Sequence, residues 1–196
     1  MNFKSMLLAS TLAVASLPAL ATVTVFTDKT AWLAAVSSST ILTENFNNNI
    51  LINGLTIVST DPAFGIYGGV MHDRVTSNAS TLFTYKSLLS GFGGNFDLSP
   101  QGAGLGIELS LVGGSTLSYT IPTQVANSST GQFFGVVSTT SFAATLFNAG
   151  NQGGNAETYT LDNLVLATAV PEPETYAMLL AGLCLIGLAR RKARAA

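Results

Sequence analysis

Apolar and polar residues alternate with a period of two along most of this chain, and glycine, asparagine or proline interrupts the alternation every few residues. Period two is the strand signal, because successive side chains point to opposite faces. It predicts short strands over Ile41–Phe46, Leu51–Ser59, Phe64–Met71, Thr81–Tyr85, Leu105–Val112, Thr116–Ile121, Phe133–Ser138, Phe142–Phe147 and Thr158–Ala167. The breaks fall at Asn47-Asn48-Asn49, Asp61-Pro62, Gly68-Gly69, Gly93-Gly94, Gly113-Gly114, Asn127–Gly131 and Asn148–Asn155. These are turn stretches, since Gly and Asn reach positive φ cheaply and Pro presets its own. In Leu105–Val112 the alternate residues Leu105, Ile107, Leu109 and Leu111 face a core. Near the end Tyr159 and Leu161 share one phase and Leu164 and Leu166 the other, which places a bulge around Asn163.

One short helix precedes the strands. Thr27 or Asp28 caps it, Trp32, Leu33 and Val36 form its apolar face, and Ser37-Ser38-Ser39 ends it. Strands in this number separated by turns predict an all-β fold, a β-sandwich of jelly-roll-like type. No fixed-period repeat supports a solenoid.

Both ends fall outside this pattern. Lys4, the apolar stretch Met6–Leu17, the breaker Pro18 and the small residues Ala19 and Ala21 compose a signal peptide, residues 1–21, cut before Thr22. Its partners are the Sec export machinery and signal peptidase. At the other end Val170-Pro171-Glu172-Pro173 precedes the apolar run Tyr176–Ala189, which contains Leu179, Leu180, Leu183, Leu185, Ile186 and Leu188. Arg190, Arg191, Lys192 and Arg194 close it as a basic stop. Fourteen helical residues reach about 21 Å, short of the roughly 30 Å hydrocarbon layer, so this is a marginal membrane anchor helix. The basic cluster predicts a cytoplasmic C-terminus and an outward core. Residues 22–169 are thus one exported domain and 170–196 a sorting and anchoring segment.

Charge separates the same pieces. Residues 22–169 hold eight acidic and three basic residues, a net −5, while the tail holds four of the chain's eight bases. A domain without clustered cations is not built for nucleic acid. Its polar surface comes from Ser, Thr, Asn and Gly, which suits hydrogen bonding to neutral sugars. The single cysteine, Cys184, lies in the tail, so the domain holds no disulfide.

Candidate chemistry is sparse. The only histidine sits in His72-Asp73-Arg74, where neighbouring strand positions face opposite ways and no G-x-S-x-G elbow exists, so a polar turn is expected rather than a triad. One histidine and no core cysteine exclude a zinc site. Glu44, Glu108 and Glu157 are the carboxylates from which a glycosidase pair would be drawn. The glycine-rich pieces Gly91–Gly94 and Gly102–Gly106 match no nucleotide fingerprint and are expected as turns and tight sheet packing. No cofactor is required, though Asp97, Asp162, Asn163 and the Asn148–Asn155 loop offer oxygens to calcium.

Val170-Pro171-Glu172-Pro173-Glu174-Thr175, the glycine-punctuated apolar run and Arg190-Arg191-Lys192 resemble the PEP-CTERM sorting signal of Gram-negative bacteria. The same tail type is also called an ice-binding protein C-terminal domain. The resemblance implies that an exosortase, a membrane cysteine protease, recognises Pro171, Glu172 and Pro173, and that residence in the inner membrane is transient. It implies a final place at the cell surface or in an extracellular, biofilm-type exopolysaccharide matrix. The core is similar to exported sandwich domains that carry this tail, through Phe26–Trp32, Glu44-Asn45-Phe46, Phe133–Ser138 and Tyr159–Leu164. The resulting expectation is a non-catalytic glycan- or matrix-binding module. The alternatives are a glycan hydrolase or lyase using paired carboxylates, and an ice-binding protein.

Overall fold

The computed structural model describes residues 22–100, 104–113, 118–121, 123–169, 180, 182 and 183. The signal peptide with Ala19 and Ala21, the sorting motif Val170–Pro173, the basic stop and most of the apolar run lie outside the described residues. Within the run, Leu180 and Leu183 are helical and exposed, whereas Tyr176, Leu179, Leu185, Ile186 and Leu188 lie outside.

The chain order is β1 (Val23–Phe26), α1 (Lys29–Ala35), β2 (Ile41–Glu44), β3 (Leu55–Ser59), β4 (Gly65–Tyr67), β5 (Val70–Thr76), β6 (Thr81–Asp97), β7 (Ile107–Val112), β8 (Ser118–Thr120), β9 (Thr130–Ala149) and β10 (Ala156–Thr168). All pairings are antiparallel, in the order β4-β5-β10-β6-β9-β7-β8, with β1 on β9, β2 on β10 and β3 on β6. The ladder is continuous, yet it makes two layers because its longest strands bend. Phe83 and Phe92 are nine residues apart on β6, about 30 Å if the strand were straight. Their ring centroids lie 5.7 Å apart. On β9, Phe134 and Phe147 both reach Phe96, at 6.2 and 5.7 Å. Register shifts between Thr84 and Leu89 and between Leu89 and Gly91 mark the bend in β6. The β-sandwich expectation therefore holds, and the two layers close over an aromatic core that includes Phe83, Phe92, Phe96, Phe147 and Tyr159.

Several elements differ from the sequence pattern. β1 was not foreseen. Phe64–Met71 is two strands around the Gly68-Gly69 turn, with φ of 64° and 82°. Phe133–Ser138 and Phe142–Phe147 are one strand, and Gly91–Gly94 lies inside β6 rather than in a turn. The reason for the glycines is steric. A Cβ on Gly91 would come within 2.9 Å of Trp32 Cζ2, and one on Gly135 within 2.7 Å of Trp32 Cδ1. Glycine gives the sheet a flat floor for the indole. Trp32, Val36, Phe133, Val165 and Ala167 form a second cluster on the outer face, and Trp32 Nε1 donates to the Val136 carbonyl at 3.0 Å.

The helix is capped by Asp28, whose Oδ1 accepts from the Ala31 amide at 2.7 Å. Trp32 and Val36 face inward as expected, but Leu33 is 39% exposed. One residue beyond Trp32 turns the side chain about 100° around the axis, away from the sheet. The bulge expected near Asn163 is present: Asn163 has φ of 48° and the β10–β6 register shifts between Asp162 and Val165. It turns Leu164 and Leu166 into the core while Val165 and Ala167 reach Trp32.

Candidate functional site

Glu44 and Glu157 do not converge. Glu44 ends β2, and its carboxylate accepts from the amides of Phe46 at 2.8 Å and Ile52 at 2.7 Å. It braces a loop in which buried Phe46 adopts φ of 51°, a conformation costly for a bulky residue. Glu157 starts β10 and is 1% exposed; Oε2 accepts from the Gly106 amide at 2.7 Å and Oε1 has no partner. Burial pushes its pKa above the ordinary carboxylate value. Glu44 opposes Leu164, seven residues along β10 from Glu157, a separation of about 23 Å. Glu108 lies on β7 opposite Asn148. Glu44 and Glu157 therefore make no glycosidase pair, which would need carboxyls within about 10 Å, while Glu108 follows two residues after the Gly106 that Glu157 holds.

His72-Asp73-Arg74 is not a turn but the middle of β5, and its neighbours do face opposite ways. Asp73 points inward and accepts from Ser59 Oγ at 2.9 Å, Thr81 Oγ1 at 2.5 Å and the Arg74 amide at 2.8 Å, with Tyr159 Oη 3.5 Å away. Desolvation outweighs these bonds and raises its pKa. Burial and the nearby Asp73 charge drive the Tyr159 hydroxyl upward as well. This network is structural, and His72 lies across the sheet from it.

The outer surface of β4, β5, β10 and the end of β6 is polar. His72 sits opposite Thr160 and Arg74 opposite Thr158 across β5 and β10; Thr160 opposes Asp97 and Asp162 opposes Asn95 across β10 and β6. At its edge Tyr67 is 61% exposed and stacks on His72, with centroids 3.8 Å apart and planes within 3°. Gly65 makes this possible, because a Cβ there would lie 3.1 Å from Tyr67 Cε1. Among the described residues the side chains of Tyr67, His72, Thr158 and Thr160 make no hydrogen bond, and Arg74 commits only Nε, 3.0 Å from Asp61 Oδ2.

The calcium candidates share this surface but are occupied locally. Asp97 Oδ1 accepts from the Ser99 amide and hydroxyl at 2.9 and 2.6 Å, and Asp162 accepts from the amide and side chain of Asn163 at 2.6 and 2.8 Å. Among the described residues no group of three or more His, Cys, Asp or Glu could hold a metal.

At the far end of β10 the strand bends leave an open groove of about 830 Å³, lined by Thr40, Leu42, Ser87, Leu88, Ser141 and Ala169 among others. Both ends of the domain meet there. The Thr22 carbonyl accepts from the Thr139 amide at 3.0 Å, and the Ala169 amide donates to the Leu88 carbonyl at 2.8 Å. The sorting segment therefore leaves from the rim of this groove.

Residues 169–194 match the PEP-CTERM protein-sorting motif. The tail of this chain carries that sorting motif. The motif makes it an exported exosortase substrate, membrane-anchored and then processed. Among the described residues no helix is long and apolar enough to cross a membrane. No curated protein matches this chain in sequence. Among solved structures it is similar to CBM29-2, a family 29 carbohydrate-binding module. One variant of that module aligns with a TM-score of 0.50 and 13% identity, over 67% of this chain and 94% of that one. Two further variants align with TM-scores of 0.49, at 13% and 14% identity, each over 69% of this chain and 98% or 99% of theirs. At such identity the likeness is one of fold.

The Tyr67–His72 stack and the open threonines of β10 were missed in the sequence. The available signal was Gly65-Ile66-Tyr67 beside Gly68-Gly69, a tyrosine two residues from a glycine at a hairpin.

Proposed function

We propose that this chain is a non-catalytic glycan- or matrix-binding module. Sec delivers it, its tail holds it briefly in the inner membrane, and an exosortase releases it to the cell surface or exopolysaccharide matrix. The observation that carries the reading is the open polar surface of β4, β5, β10 and β6, with uncommitted hydroxyls beside an exposed aromatic. Such a surface suits a ligand rich in neutral hydroxyl groups. A fold shared with a module studied for ligand recognition supports the reading. So does the separation of Glu44 from Glu157 along β10. Calcium enters at most as an aid to that surface, through Asp97 and Asp162.

The test is retention of the full chain, in mild detergent, on exopolysaccharide from an exosortase-bearing Gram-negative bacterium, with and without EDTA. Saturable retention that leaves the polymer intact is expected. Loss of retention with EDTA would add calcium to the reading. Shortened polymer would overturn it in favour of a hydrolase or lyase, and absence of retention would overturn the glycan reading altogether.

A further inference from the structure

Resting on that reading, we infer that Tyr67, seated on His72, is a stacking platform for one pyranose ring of a neutral polysaccharide. The chain of that polysaccharide then runs across Thr160 and Thr158 of β10. Three independent features define the site. The first is preorganisation. Gly65 leaves space for Tyr67 to lean over it onto His72, so the ring is held in place before any ligand arrives. A ring already ordered loses little conformational freedom on binding.

The second feature is the spacing of hydrogen-bonding groups. From His72 through Thr160 to Asp97 the surface crosses three neighbouring strands, about 10 Å at the usual separation. That distance suits a short stretch of oligosaccharide lying across the strands. The hydroxyls of Thr158 and Thr160 are free among the described residues, and the terminal amino groups of Arg74 remain available beside them. Hydroxyl groups both donate and accept, which matches sugar hydroxyls.

The third feature is charge, and it selects the ligand class. Asp97 and Asp162 stand on this surface, while Arg74 beside them is already paired with Asp61. A polyuronate or sulfated chain would meet repulsion there, so the ligand is neutral.

Affinity electrophoresis of the full chain in mild detergent tests this against cellohexaose-type β-glucan, glucomannan, β-1,3-glucan, starch and polygalacturonate. Retardation by at least one neutral glycan is expected, with polygalacturonate inert. Tyr67→Ala should weaken it roughly fivefold, from an aromatic contact of about 1 kcal/mol, while Tyr67→Phe keeps most of it. Thr160→Val should weaken binding without changing the melting temperature. Binding that survives Tyr67→Ala and Thr160→Val unchanged overturns this site and leaves the glycan-binding reading standing. Preference for polygalacturonate overturns the ligand class. Failure of every neutral glycan overturns both the site and the reading.

Discussion

Two buried carboxyl groups give the single-residue scale its sharpest consequence. Glu157 and Asp73 are both held above their ordinary pKa values of 4.5 and 3.8, chiefly by desolvation. A folded state that prefers the protonated acid gains its stability at low pH and loses it as pH rises through the raised value. Unfolding free energies of wild type and Glu157→Gln from about pH 4 to about pH 8 should therefore converge or cross, with wild type losing ground as pH rises. A constant difference across that range would refute the assignment. Asp73→Asn should behave differently. Asp73 accepts from two hydroxyls and an amide, and an asparagine NH2 cannot accept, so the variant should start less stable, by a margin that narrows as pH rises through the raised Asp73 value. Residue positions fixed by alternation or capping were legible: Asp28, the inward Ile107, Leu109 and Leu111, and the slip at Asn163. Tyr67 was not, because what sets it apart is a contact to His72 across a hairpin and a glycine beneath it.

Helix α1 shows how one element depends on what another omits. Its seven residues are too few to be stable alone, so it persists through Trp32 and Val36 on the glycine floor of β6 and β9. Trp32→Ala should cost about 3–5 kcal/mol in denaturant unfolding, through the lost side chain and the cavity it leaves. Gly135→Ala should cost about 1–3 kcal/mol, since its Cβ would sit 2.7 Å from Trp32 Cδ1. Because both changes touch the indole contact, their effects should combine less than additively; additive losses would show that the Phe133 ring, 2.8 Å from the same Cβ, sets the glycine's cost. The lengths of β6 and β9 were hidden by the same economy. Glycines that look like turns in a sequence are here the places where a second layer lies close. The bends of β6 at Lys86–Ser90 and of β9 at Thr139–Ser141 read as ordinary loops, since pairing continues past them only in three dimensions.

At the scale of the molecule, β10 separates the proposed binding surface from the start of the sorting segment. Thr160, opposite His72, and Thr168, beside the groove where the tail departs, are eight residues apart, about 26 Å along the strand. Thr22 and Ala169 both end at that groove, so the chain leaves the described domain at the end of β10 remote from its polar surface. Six residues, Val170–Thr175, separate the domain from the apolar run and span at most about 20 Å. On the proposed reading, glycan capture and membrane anchoring then use opposite ends of the domain. Full-length chain reconstituted in lipid vesicles should hold a neutral glycan with the same affinity as chain released from its tail, measured by co-sedimentation of labelled polymer. Loss of affinity in the vesicle-bound form would place the glycan at the groove where the tail departs instead. Exosortase processing reports on the other end independently: Glu172→Ala with Pro171→Ala should leave the uncut mass in an exosortase-bearing host while the purified variant still binds glycan. A variant that is processed normally would show that recognition does not read these residues, and one that loses glycan binding would show that the two ends are coupled after all.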